Sequence, residues 1–151
     1  CAAARGHRDG LEWARAHGCP WGPRVCSSTN LAAKCGHLHM LVWMRGNPLV
    51  WNEAGVCAAA ATGGHLGVLQ WARAAGCGWD TSTCSNAATA GNLEVLKWAR
   101  CTGCRWAGDK CTSAAGAGHL NMLQWARAQG CRWVRSTCKA AAEKGHMEVL
   151  K

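Results

Sequence analysis

TCSNAATAGNLEVLKWARCTGCRW, residues Thr83–Trp106, is the best-preserved copy of a phrase that recurs along the whole chain. Its central glycine, Gly91, belongs to the series Gly6, Gly36, Gly64, Gly91, Gly118 and Gly145, whose last three intervals are equal and whose first two are slightly longer. A recurrence of this kind is the mark of stacked structural repeats rather than of a globule around one central core. An Ala-Ala pair precedes each glycine at the same distance: Ala2-Ala3, Ala32-Ala33, Ala60-Ala61, Ala87-Ala88, Ala114-Ala115 and Ala141-Ala142. The chain therefore begins inside one unit and ends inside another, and is expected to be a segment of a longer array.

Each unit reads as two helices. The first is a run of small residues, from about Thr83 to Ala90, stopped by a glycine that can adopt a left-handed conformation. The second spans about Asn92 to Thr102, with Leu93, Val95, Leu96 and Ala99 on an apolar stripe and Glu94, Lys97 and Arg100 largely off it. Gly103 ends it. Only Ala107 to Lys110 separate Trp106 from Cys111, too few residues for an added strand pair. The expected fold is all-α: one solenoid over residues 1–151, of about five to six stacked antiparallel helix pairs joined by short loops.

The phrase A-A-x-x-G-H-L-E-V-L followed by G-x-x-W resembles the ankyrin repeat, and the resemblance covers essentially the whole chain. It is similar to short, Trp- and Cys-rich ankyrin-like repeats of unicellular algae and giant DNA viruses. The unit here is shorter than the ankyrin unit by roughly six residues, so most of the projecting β-hairpin finger is expected to be missing. Thr-Pro-Leu-His at the first helix gives way to forms such as Thr83-Cys84-Ser85-Asn86, and late leucines of the second helix become Trp-Ala-Arg. The resemblance implies a protein-binding scaffold.

All ten aromatic residues are tryptophans, in two ladders. Trp13, Trp43, Trp71, Trp98 and Trp125 lie in the second helices; Trp21, Trp51, Trp79, Trp106 and Trp133 lie in the loops. Beside a small-residue first helix they are expected to fill buried seams between units, the alternative being exposed stripes that stack on bases or sugars. Eight of the twelve cysteines form a recurring C-x6-C pattern: Cys19 with Cys26, Cys77 with Cys84, Cys104 with Cys111 and Cys131 with Cys138. They are expected to serve as small, reduced, buried apolar residues. Only Cys101 and Cys104 show the two-residue gap of a zinc half-site, so no metal or other cofactor is expected. Regular spacing leaves disulfides between adjacent loops open. His7, His37, His65, His119 and His146 follow the glycines, with Asn92 once in that place, which suits a hydrogen-bonding residue at a helix start.

Seventeen Lys and Arg against eight Asp and Glu give a net charge of +9. Arg15, Arg45, Arg73, Arg100 and Arg127 each stand two residues after a helix Trp and form a basic ladder. At one helix diameter, ~10 Å, neighbouring guanidiniums repel by only ~0.4 kcal/mol in water, so the ladder needs no partner to persist. It is a solvated face or else a surface for an acidic protein, a lipid headgroup or nucleic acid. No base-reading motif accompanies it.

Phosphate-cradling, nucleophile-elbow and paired-carboxylate patterns do not occur, and the eight acids are scattered, so no enzymatic activity is expected. The departures from the repeat around Val25 to Asn30 and Gly46 to Asn52 suggest an irregular loop and a bend. The expected function is presentation of an extended surface to a protein partner. Candidate contacts are Ala58, Ser85, Asn86, Thr112, Ser113 and Lys139 on the first helices and Glu53, Asp80, Asp109 and Arg135 in the loops. The alternatives are an accessory subunit docked in a large assembly through the Arg ladder and a nonspecific polyanion binder. No specific nucleic acid and no transmembrane segment are expected, and heavy cysteine use fits the cytoplasm or another reducing compartment.

Overall fold

A computed structural model of the chain describes residues 5, 7–18, 26–47, 51, 53, 55–104, 111–131 and 134–149, and among these no strand occurs. The helices are α1 (Arg8–Ala16), α2 (Cys26–Lys34), α3 (Leu38–Arg45), α4 (Val56–Gly63), α5 (Leu66–Ala74), α6 (Thr81–Ala90), α7 (Leu93–Cys101), α8 (Cys111–Gly116), α9 (Leu120–Ala128) and α10 (Arg135–Glu143), followed by a 3-10 turn at Met147–Val149. The chain divides into two compact units, Cys1–Gly78 and Trp79–Lys151. In the first, α2 and α4 lie side by side, with α3 packed on α2 and α5 on α4. The second repeats the arrangement: α6, α8 and α10 form the row, with α7 on α6 and α9 on α8. The architecture is an all-α repeat of helix pairs.

Alanine makes the row of first helices possible. Ala32, Ala33, Ala60 and Ala61 in the first unit, and Ala87, Ala88, Ala114, Ala115 and Ala141 in the second, are buried. A methyl group lets neighbouring helices approach without leaving voids. The second helices supply the bulk: Met40, Leu41 and Met44, then Val68 and Leu69, and in the other unit Val95, Leu96, Met122 and Leu123.

The tryptophans depart from the expectation of burial. Trp43, Trp71, Trp98 and Trp125 are half-buried, as are the loop residues Trp51 and Trp79, and Trp13 is 61% exposed; Trp21, Trp106 and Trp133 lie outside the described residues. Met, Leu, Val and Ala, with the buried cysteines Cys57, Cys77, Cys84, Cys104 and Cys111, close the core, and the indoles roof its edge. They pair across the two ladders: Trp51 meets Trp71 edge-on at 6.0 Å, and Trp79 meets Trp98 at 5.6 Å. Each of these loop tryptophans thus covers the Trp of the following second helix.

Helix α6 begins at Thr81, two residues before its expected start, because Asp80 caps it. The Asp80 carboxylate accepts the Ser82 backbone N–H at 2.8 Å. At the other end Gly91 adopts φ 79°, its N–H donates to the Ala88 carbonyl, and the Asn92 N–H donates to Ala87. This paired stop satisfies two orphan carbonyls and starts α7 within two residues. The second helix ends in the same way, with Gly103 donating to Arg100 and Cys104 to Ala99.

Candidate functional site

The proposed contact positions divide by burial and by the bonds they already make. Glu53, Asp80, Arg135 and Lys139 are exposed, whereas Ala58, Ser85, Asn86, Thr112 and Ser113 are half-buried. Asp109 lies outside the described residues. Asp80 is the cap of α6, and its carboxyl is held below the ordinary carboxylate range chiefly by the Ser82 hydroxyl. The Ser85 hydroxyl donates back to the Thr81 carbonyl at 2.7 Å. The Thr112 hydroxyl lies 3.3 Å from those of Ser136 and Thr137, linking α8 to α10. Lys139 pairs with Glu143 at 3.7 Å on the exposed face of α10. Several candidate contacts therefore also hold helices in place.

The basic ladder has an internal role where its bonds are seen. Arg45 donates to the Ala75 carbonyl at 2.5 Å and stands over the Trp71 ring at 6.0 Å. Arg73 donates to the Cys77 carbonyl at 2.9 Å. Both guanidiniums sit beside the C-terminal end of α5, where the helix dipole is negative. Arg100 and Arg127 are exposed at the same register; the side chain of Arg15 lies outside the described residues.

The histidines are structural by another route than the one expected. His37, His65 and His119 precede α3, α5 and α9, yet none makes a side-chain cap bond, and Asn92 before α7 makes none either. The rings of His65, His119 and His146 instead lie on the glycine of the preceding repeat. A Cβ built on Gly36 would stand 2.6 Å from the His65 ring, one on Gly91 2.6 Å from His119, and one on Gly118 2.6 Å from His146. His119 Nε2 also donates to the Thr89 carbonyl at 3.1 Å, at the end of the preceding first helix. Beside this joint is a surface hollow of about 390 Å³ whose lining includes Leu93, His119, Asn121 and Met122.

The cysteines correct the expectation that all of them are reduced. Proximity joins a first-helix cysteine to the one after the second helix of the same repeat, not the C-x6-C partners. Cys111 at the start of α8 and Cys131 after α9 form a disulfide. At the same register Cys84 and Cys104 bring their sulfurs to 2.7 Å, and the Cys57 thiol points to the Cys77 carbonyl at 3.9 Å. Cys57, Cys77, Cys84 and Cys104 are buried free thiols, whereas Cys35 and Cys101 are exposed. Burial pushes the Cys77 thiol up. The side chains of Cys19 and Cys26 lie outside the described residues. Among the described residues no group of three or more His, Cys, Asp or Glu is placed to hold a metal ion, and no helix is long and apolar enough to cross a membrane.

Neither a protein-family model nor a curated protein matches this chain.

Proposed function

We propose that the chain is a non-catalytic, ankyrin-like scaffold that binds a protein partner along its first helices and the loops leading into them. The carrying observation is one register position, immediately after the first-helix cysteine. It holds Ala58, Ser85, Thr112 and Lys139 in successive repeats, while the Ala-Ala pair two residues further on stays the same and its first alanine is buried every time. A frame repeated without change and a neighbouring half-buried or exposed position that changes in every copy suit recognition along an extended surface. The second helices support this division, because Arg45 and Arg73 are already engaged with loop carbonyls.

Capture of the partner by the full chain, followed by crosslinking and mass spectrometry, tests the proposal. Replacing Ser85, Asn86, Thr112 and Ser113 by bulkier residues that preserve the helical circular-dichroism signal is expected to abolish capture. Changing Arg73, Arg100 and Arg127 together to Gln is expected to leave it intact. The reverse outcome would move the functional surface to the second helices, favouring an accessory subunit of an assembly or a polyanion binder. A polyanion binder would in addition hold its ligand at physiological salt and lose it in the triple variant.

A further inference from the structure

Cys84 lies in α6, and Cys104 lies in the turn that ends α7, the partner helix of the same pair. The glycine stop at Gly103 fixes the second thiol: the Cys104 N–H donates to the Ala99 carbonyl at 2.9 Å, and its sulfur lies 3.5 Å from the Asp80 carbonyl. The first thiol is fixed by α6, whose buried face also carries Thr83, Ala87 and Ala88. Helix α6 and the glycine-stopped turn after α7 therefore hold the sulfurs in contact at 2.7 Å. In the next repeat the residues of identical register, Cys111 and Cys131, are already joined.

We propose that Cys84 and Cys104 form an oxidisable dithiol that a small-molecule disulfide, such as the oxidised form of a thiol tripeptide, converts to an intrarepeat disulfide. Cys104 is the attacking sulfur. The thiol of Cys84 donates to it and holds its proton affinity below the ordinary thiol range, while the same bond and burial push Cys84 up. Burial and the Asp80 carboxylate oppose the lowering at Cys104, and Arg100 adds a smaller contribution in favour of the Cys104 thiolate. A surface hollow of about 380 Å³, lined by Trp79, Asp80, Thr81 and Gly103, reaches the turn at the residue next to Cys104.

The Cys104 thiolate attacks one sulfur of the small disulfide, breaks its S–S bond, and leaves a mixed disulfide on Cys104 with release of one small thiol. Cys84 then loses its proton, attacks the Cys104 sulfur and expels the second small thiol. The protein dithiol gives up two electrons and two protons, and the small disulfide takes up both to become two thiols. The product ties the start of a repeat's first helix to the end of its second.

Incubating the full chain with oxidised glutathione, alkylating the remaining thiols and mapping peptides without reduction tests this. The native chain, and equally Cys101→Ser, is expected to yield a Cys84–Cys104 crosslink lighter by two hydrogens than the dithiol, reversed by dithiothreitol. Cys84→Ser is expected to trap glutathione on Cys104, since the resolving thiol is gone. In Cys104→Ser the adduct at Cys84 is expected to form at least tenfold more slowly. The proposal is overturned if the native chain acquires adducts only at Cys35 and Cys101, with Cys84 and Cys104 alkylated only after unfolding. That outcome is read on the native sequence, so it does not depend on any variant folding.

Discussion

The two turns of a repeat share one backbone solution and differ in what lies over them. Gly91, after the first helix, and Gly103, after the second, both take positive φ, 79° and 87°. A side chain at Gly91 would strike the His119 ring of the next repeat, whereas one at Gly103 would meet nothing within 4 Å. The first turn is a joint between repeats and the second a local stop that positions a thiol. Identical glycines, read by φ alone, would be judged equal; their neighbours make them unequal.

The largest expected effect comes from Gly91→Ala. The left-handed conformation costs a non-glycine residue about 1–2 kcal/mol, and insertion into an occupied space adds about 1–3 kcal/mol. A loss of stability of about 2–5 kcal/mol by chemical denaturation follows from the two. Combining it with His119→Ala isolates the joint. The double variant is expected to recover the steric share, giving a coupling of about 1–3 kcal/mol in a double-mutant cycle. A coupling near zero would mean that the ring moves aside at no cost, and the contrast between the turns would collapse to backbone conformation.

Gly103→Ala is expected to cost about 1–2 kcal/mol, the conformational share alone. Any excess over that, measured in the same denaturant series, would show that the second turn is more crowded than its open surroundings indicate. The smallest effect is that of Asp80→Ala, about 1 kcal/mol through the lost cap of α6. Because the Asp80 carboxyl is held below its ordinary value of 3.8, its contribution is fully present above that pH and is lost as pH falls through the lowered value. The variant and the native chain are therefore expected to differ in unfolding midpoint at neutral pH and to converge in acid.

The helix pairs were legible because small-residue runs, glycine stops and apolar stripes all report on local backbone and on the nearest layer. At α6 the cap moved the boundary, and its signal, an acid two residues before Ser82, was present in the sequence. The cysteine partners were not legible from spacing. Cys84 has Cys77 before it and Cys104 after it, and both relations recur along the chain, so the pattern favours neither neighbour. Only the folding-back of α7 onto α6 selects Cys104. The tryptophans misled for a related reason: size suggested burial, but Leu96 and Val95 occupy the inward face of α7, and Trp98 is left at its edge. Among the candidate contacts, the exposure of Lys139 and Arg135 agrees with their charge, whereas the lateral bonding of Thr112 to α10 required the neighbouring helix to be in place.

The seating of His119 on Gly91 and of His146 on Gly118 bears on how such a gene can lengthen or shorten. Removal of residues 92–118, one period, would bring His119 directly behind Gly91 and restore the Gly-His dipeptide found at the other repeats. The ring of His146 would then inherit the uncovered glycine. Whole-period exchange thus preserves the seating, and the seating also accommodates a single added residue, since His65 lies on Gly36 across a spacing one residue longer than those of His119 on Gly91 and His146 on Gly118.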